Sequence, residues 1–178
     1  MKKISIKYGI ISGIIVSLFM ITSSIMLTQY PDMQISEIIG FIGMLIAFLF
    51  IFFGIMKYRD EENKGNITFI EALKIGIIIA SIASLFYVVV WLIEYYFFFP
   101  DFMDKFAEMS LQKMKTSGST ASEIAAKTAE LNKYKEYYKS PIMIVLLTLM
   151  EIFPLGLVIA LVCALILKRN KQNDNVML

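Results

Sequence analysis

The segment IGIIIASIASLFYVVVWLI, residues 75–93, decides the fold, because it holds no charged residue and is long enough to cross a bilayer as a helix. A membrane core about 30 Å thick takes about 20 apolar residues of helix. Residues 8–27, 38–56 and 142–167 have the same character, and the last carries one charge at Glu151. The chain is 58% hydrophobic with a mean hydropathy of +0.70, whereas soluble domains are about 45–50% apolar.

These segments predict an all-α fold, an integral membrane four-helix bundle that forms a single domain over residues 1–178. We expect membrane helices at about residues 8–28, 36–57, 69–99 and 141–168, and an outer, periplasmic helical hairpin at about residues 101–140, between helices 3 and 4. The first helix is too long for a signal peptide and lacks a small-residue cleavage site after Leu27, so we interpret it as retained.

Lysine and arginine residues predict the orientation, because they accumulate in cytoplasmic loops. The first loop, residues 29–36, has none. The N-terminus, the second loop and the tail carry Lys2, Lys3, Lys7, Lys57, Arg59, Lys64, Lys168, Arg169 and Lys171. We therefore expect a multi-pass protein of the bacterial cytoplasmic (inner) membrane with both termini cytoplasmic. The lysines of residues 101–140 strain this rule, although long translocated segments follow it weakly.

Two capping boxes predict where helices begin. Thr68 with Glu71 starts the third membrane helix, and Thr120 with Glu123 starts the second helix of the hairpin. Beyond that cap, a stripe at helical spacing is expected to pack on its partner helix or on lipid headgroups, with a partner-binding face as the alternative. The stripe consists of Ile124, Thr128, Leu131, Tyr134 and Tyr138.

Small residues four apart predict close packing of the membrane helices, because missing side-chain bulk lets backbones approach in lipid. They are Gly9, Gly13 and Ser17; Gly43 and Ala47; Gly76, Ala80 and Ser84; and Gly156, Ala160 and Ala164. We expect these faces to pack within the chain, with homo-oligomerisation as the alternative. Residues 7–19 and 74–86 also share eight of thirteen positions. Either duplication of a two-helix hairpin or chance similarity of isoleucine-rich helices explains this match.

Composition argues against several classes of function. The chain has no histidine and one cysteine, Cys163, so we predict no internal disulfide, no bound metal and no cofactor. A net charge of +2 without a nucleic-acid-binding signature predicts no nucleic-acid partner. We find no nucleophile with a base and no phosphate-binding loop, and therefore predict no catalytic residue and no enzymatic activity.

Three glutamates form the candidate ion or proton site: Glu151, Glu94 and Glu37. At about 1.5 Å per residue, all three lie near the outer face of the membrane. We expect Glu151 to be the most buried, beside a kink at Pro154, and the other two to be ordinary interfacial residues. Acids at membrane depth are often functional, and the alternative is that Glu151 only fixes helix packing.

Four stretches resemble a known family. They are GIMKYRD at residues 54–60, ITFIEALK at 67–74, FFPDFM at 98–103 and EIFPLG at 151–156. They are similar in order and spacing to a bacterial inner-membrane family catalogued as domain of unknown function 4199. The resemblance covers nearly the whole chain. It implies a four-helix membrane domain found mainly in Bacteroidetes-type bacteria, and it implies no activity.

Together these features predict a small non-enzymatic membrane protein that contacts the lipid bilayer and acts as a subunit or assembly partner of a membrane complex. The alternative is a small transporter or channel component with an ion or proton site at Glu151. A membrane enzyme is the third hypothesis.

Overall fold

The computed structural model describes residues 1–29 and 35–169, with the side chains of residues 1–26 and 38–169. Within these ranges the fold is all-α. The helices are α1 Lys2–Gln29, α2 Ile35–Lys57, α3 Phe69–Ile93, α4 Phe102–Thr116, α5 Ala121–Tyr137 and α6 Pro141–Leu167. Two π-helical turns, Tyr58–Glu62 and Glu94–Phe98, extend α2 and α3.

Four of these helices, α1, α2, α3 and α6, are long and apolar enough to cross a membrane. The protein is therefore a multi-pass membrane protein, as the apolar segments predict. α1 begins earlier than the span expected from residue 8, and its first turn buries Ile4 and Ser5.

Helix α3 lies at the centre of the bundle. It packs on α1 and α6, while α2 packs on α1 and contacts both α3 and α6. The core between them contains fully buried isoleucine and phenylalanine side chains, among them Phe48, Ile51, Ile55, Ile75, Ile79 and Ile152. The outward faces carry large apolar side chains such as Leu18, Leu85 and Ile166. Such an exposed apolar surface is suited to contact with lipid.

At one end of the bundle, which we call the terminal end, the α2–α3 connection contacts both described ends of the chain. The amino group of Met1 forms an ion pair with Glu62 at 2.6 Å. Ile67, in the connection before α3, exchanges two backbone hydrogen bonds with Arg169 after α6, at 2.9 and 2.8 Å. The α2–α3 connection therefore lies against both the beginning of α1 and the end of α6.

Both predicted capping boxes are confirmed. Thr68 Oγ1 accepts a hydrogen bond from the Glu71 N–H at 3.3 Å, and Glu71 Oε2 accepts one from the Thr68 N–H at 2.9 Å. Thr120 and Glu123 make the same pair of bonds. These caps satisfy backbone N–H groups that a helix start otherwise leaves unpaired.

The opposite end, which we call the hairpin end, carries the predicted helical hairpin. Its two helices are α4 and α5, joined by an ion pair between Lys135 and Asp104 at 2.6 Å. Of the stripe predicted on α5, Leu131 is buried, but Tyr134 is 38% exposed. The stripe is thus only partly covered.

Candidate functional site at the hairpin end

Among the described residues, Glu94 is the buried carboxylate of the bundle, with 6% of its surface exposed. It lies where α3 passes into the π-helical turn, and its carbonyl accepts a hydrogen bond from the Phe99 N–H at 2.8 Å. Ser24 of α1 donates a hydrogen bond to Glu94 Oε2 at 2.8 Å. π turns are rare and are frequent at functional sites. The wider turn therefore coincides with a polar contact between two membrane helices.

Glu151 lies on α6 and is exposed, although its hydrogen-bond partner is buried. The hydroxyl of Tyr87, a residue of α3 that is 9% exposed, donates to Glu151 Oε1 at 3.2 Å. α6 continues as a helix through Pro154. Because proline has no N–H, the carbonyl of Met150 lacks its helical donor there.

The prediction that Glu151 is the most buried of the three acids is wrong, because Glu94 is covered by protein and Glu151 is exposed. Depth along a helix axis does not determine which side of the helix a residue occupies. Glu94 lies on the side of α3 that meets α1, whereas Glu151 is exposed on α6 and accepts a hydrogen bond from Tyr87. The side chain of Glu37 lies outside the described residues.

The two carboxylates therefore contact different neighbours across α3. Glu94 joins α3 to α1, and Glu151 joins α6 to α3. Among the described residues, no group of three or more Cys, Asp or Glu side chains is placed to hold a metal ion. The arrangement consists of two separate carboxylate–hydroxyl pairs.

An aromatic cluster fixes the hairpin to the bundle beside these carboxylates. Trp91 meets Phe102 of α4 edge-on, with ring centroids 4.8 Å apart, and Tyr95 meets Tyr138 at 5.3 Å. The Tyr95 hydroxyl also donates to the Tyr138 carbonyl at 3.4 Å. Burial raises the pKa of Tyr138 to about 12. The cluster thus joins α3 to both ends of the hairpin.

Serine hydroxyls supply polar contacts that sequence reasoning missed. Ser12 of α1 is fully buried and donates to the Ala47 carbonyl of α2 at 2.7 Å. Ser24 was likewise not singled out. Sequence could have indicated these contacts, because a serine on the packed side of a membrane helix needs a hydrogen-bond acceptor that a neighbouring helix can provide.

The predicted small residues lie at helix–helix contacts. A Cβ built on Gly76 would lie 2.7 Å from Ala160 Cβ, and one on Gly156 would lie 2.9 Å from Ala80 Cβ. On α1, a Cβ on Gly9 would meet Ile82 at 2.8 Å. Cβ atoms essentially never come this close, so these positions have no room for a side chain.

Residues 7–169 match the family described as protein of unknown function DUF4199. The chain belongs to this family. The DUF4199 match includes the hairpin and both carboxylate–hydroxyl pairs, so these features lie inside the family's own domain. No curated protein and no solved structure matches this DUF4199 chain.

Proposed function

We propose that this protein is a non-enzymatic subunit or assembly partner of a complex in the bacterial cytoplasmic membrane. In this proposal the α4–α5 hairpin lies on the outer side and binds the partner. The observation that carries it is a pair of exposed tyrosines on α5. Tyr134 and Tyr137 are 38% and 42% exposed, and their rings meet edge-on at 6.2 Å.

These tyrosines stand out from their surroundings. The other exposed residues of 121–137 are mainly alanine, glutamate and small polar residues, with one lysine. Aromatic residues are enriched at protein interfaces, where they contribute much of the binding energy, whereas lysine and glutamate are depleted there. The aromatic cluster at Trp91 and Tyr95 supports the proposal because it holds the hairpin in one orientation, which lowers the entropy lost on binding.

The partner proposal is tested by site-specific photo-crosslinking in cells. A photoreactive residue at position 137 should give one discrete protein adduct, which Tyr134→Ser should weaken. The matched control is Gln112, an exposed residue of α4, which should give none. Adducts with lipid alone, or equal adducts from positions 112 and 137, would contradict a partner-binding hairpin. An adduct of twice the chain mass would identify the partner as a second copy.

The proposed orientation has its own test. Reporters sensitive to the compartment are fused after Asn173 and inserted within residues 117–119. We expect a cytoplasmic signal from the first site and a periplasmic signal from the second. A cytoplasmic signal from the insertion site would overturn the orientation and place the hairpin inside.

A second candidate function is proton or cation binding at the carboxylate–hydroxyl pairs. The specific observation is the burial of Glu94 with Ser24 as its hydrogen-bond partner, since a buried carboxylate in a membrane helix marks ion or proton pathways. Glu151 on Tyr87 is a further carboxylate at the same end of the bundle.

The ion-site candidate is tested with Glu94→Gln and Glu151→Gln, because the amide keeps size and hydrogen-bonding capacity. We compare the dependence of the melting temperature on pH and on cation concentration in each variant and in the unchanged protein. If the site binds ions, at least one variant should lose that dependence. Identical curves in all three proteins would leave both glutamates as packing residues.

A further inference from the structure

A groove opens between α1 and α2 at the terminal end, far from the hairpin. Its volume is about 340 Å³. A water molecule takes about 30 Å³ of liquid, so the groove accommodates a group of roughly ten non-hydrogen atoms. Nothing in the proposed partner-binding role uses this surface.

The floor of the groove is aromatic and apolar. Tyr8 of α1 lies beside Phe50, with ring centroids 6.4 Å apart, and Phe50 meets Phe53 edge-on at 5.9 Å. Gly54 lets Tyr8 lie against α2, since an added Cβ there would be 3.3 Å from Tyr8 Cβ. Phe53 is 42% exposed, so this floor is accessible from outside the bundle.

The rim of the groove is ionised. Lys57, Asp60 and Glu61 line it, and the π-helical turn Tyr58–Glu62 presents the two acids. Lys57 forms an ion pair with Glu61 at 2.5 Å, and Arg59 pairs with Asp60 at 2.6 Å. A lysine has three N–H donors and a carboxylate has about four acceptor positions. The rim therefore keeps donors and acceptors for a ligand.

This combination places the groove at a membrane boundary. The apolar run of α2 ends at Met56, and charged residues follow from Lys57. A ligand that fills the groove must present an apolar part to Phe50 and Phe53 and a polar part to the rim. A zwitterionic polar part matches the rim, because its lysine and two carboxylates, together with Arg59, form two ion pairs and so present both signs of charge.

We propose that this groove binds a phospholipid whose headgroup carries both a phosphate and a primary ammonium. The phosphate lies at Lys57, the ammonium lies between Asp60 and Glu61, and the first acyl carbons lie on Phe50 and Phe53. An anionic headgroup without an amine would leave the carboxylates facing a like charge. A trimethylated ammonium has no N–H to donate to them.

The test measures lipid binding to the purified full chain by native mass spectrometry in detergent. Phosphatidylethanolamine, phosphatidylcholine and phosphatidylglycerol with identical acyl chains are compared. We expect phosphatidylethanolamine to bind roughly tenfold more tightly than the other two, which corresponds to about 1.4 kcal/mol. Equal binding of the three lipids, or a preference for phosphatidylglycerol, would overturn the proposal.

Two pairs of variants locate the binding. Asp60→Asn combined with Glu61→Gln should remove the preference for phosphatidylethanolamine, whereas Glu108→Gln, at an exposed carboxylate of the hairpin, should retain it. Phe53→Ser should weaken binding of the lipid severalfold. Leu49→Ser, one turn earlier at a residue that is 54% exposed and outside the groove, should not. Equal effects within either pair would contradict the assigned site.

Glycerophosphoethanolamine, the soluble headgroup without acyl chains, tests whether the headgroup alone accounts for binding. It should fail to displace the lipid at equal concentration, because it lacks the apolar part that contacts Phe53. Full displacement would show that the floor contributes nothing and would overturn the phospholipid assignment. Chain dimers that displace bound lipid would instead assign the groove to a second copy.

Discussion

Helices α1 and α3 share eight of thirteen residues over 7–19 and 74–86, yet they pack in different ways. Gly76 of α3 faces Ala160 of α6, so small residues meet small residues and two backbones come close. Gly13 of α1 faces the ring of Phe86, so a glycine receives a large side chain. The same sequence pattern therefore supports two kinds of packing. Two backbones can come close, or a ring can fill the notch left by a glycine without a side chain, and the residues of the neighbouring helix determine which occurs.

The comparison also bears on the internal similarity of the chain. A duplicated hairpin should place the small face of α1 on α2, as the small face of α3 lies on α6. Gly9 and Gly13 instead contact Ile82 and Phe86 of α3. The packing thus gives the duplication hypothesis no support.

The largest expected effect is at Gly76, where the obstacle is partly backbone. A Cβ there would lie 2.7 Å from Ala160 Cβ and 3.2 Å from Ala160 Cα. Gly76→Ala should cost about 1–3 kcal/mol, and Gly76→Leu should abolish folded yield in detergent. The matched control is Gly40→Ala, whose Cβ would have its nearest neighbour, Ser23 Oγ, at 3.9 Å. Equal melting temperatures for both alanine variants would contradict the prediction that close packing at Gly76, and not at Gly40, excludes a side chain.

A smaller effect is expected at Gly13, because its obstacle is one side chain. Gly13→Ala should destabilise the bundle, and Phe86→Ala should relieve part of the clash, because it removes the ring atoms at 2.6 and 2.9 Å but keeps the Cβ, which also lies at 2.9 Å. A double-mutant cycle measured by thermal denaturation should give a coupling of about 1 kcal/mol or more. Additive effects of the two substitutions would mean that Phe86 is not what fills the notch.

A comparable or smaller loss is expected where α1 and α3 meet at the hairpin end. Glu94→Leu removes the acceptor of the Ser24 hydroxyl and should cost about 1–3 kcal/mol, whereas Glu94→Gln should cost less than about 1 kcal/mol. Unfolding in detergent measures both. Similar losses for Leu and Gln would show that the hydrogen bond to Ser24 does not set the stability of this contact.

The smallest effects concern two serines at equivalent positions of the similar segments. Ser17 Oγ donates to the Gly13 carbonyl at 2.7 Å, whereas Ser84 Oγ is buried without a hydrogen-bond partner among the described residues. Ser17→Ala should cost about 0.5 kcal/mol, and Ser84→Ala should be neutral or stabilising by a similar amount. The measurement is the melting temperature of each variant. A loss at Ser84 as large as that at Ser17 would show that the Ser84 hydroxyl has a partner.

Sequence predicted the features that depend on local pattern. The uncharged run of residues 75–93 was sufficient for a membrane helix, and Thr68 with Glu71 was sufficient for its start, because spacing alone determines both. The rotation of each helix in the bundle was not predictable in this way. Glu94 and Glu151 lie at similar depths along their helices. Which of them is buried depends on the side of the helix that it occupies, and the contacts with Ser24 and Tyr87 show those sides.

The π-helical turns were likewise not predictable from sequence. No residue pattern at 58–62 or 94–98 indicates an extra residue in the turn. These turns nevertheless place Glu61 at the groove and Glu94 within hydrogen-bond distance of Ser24. Phe102 was missed for a related reason, because its contact with Trp91 depends on how the hairpin folds back over α3.

The backbone bridge between Ile67 and Arg169 also has a consequence for the order of biosynthesis. A ribosome makes Ile67 well before Arg169, and α6 emerges only after α3 and the whole hairpin. Until then the glycine and alanine face of α3 has no α6 to cover it, and the backbone groups of Ile67 lack the partners they have in the finished bundle. The nascent chain therefore passes through a stage with three membrane helices, whose open face is the one that α6 later closes.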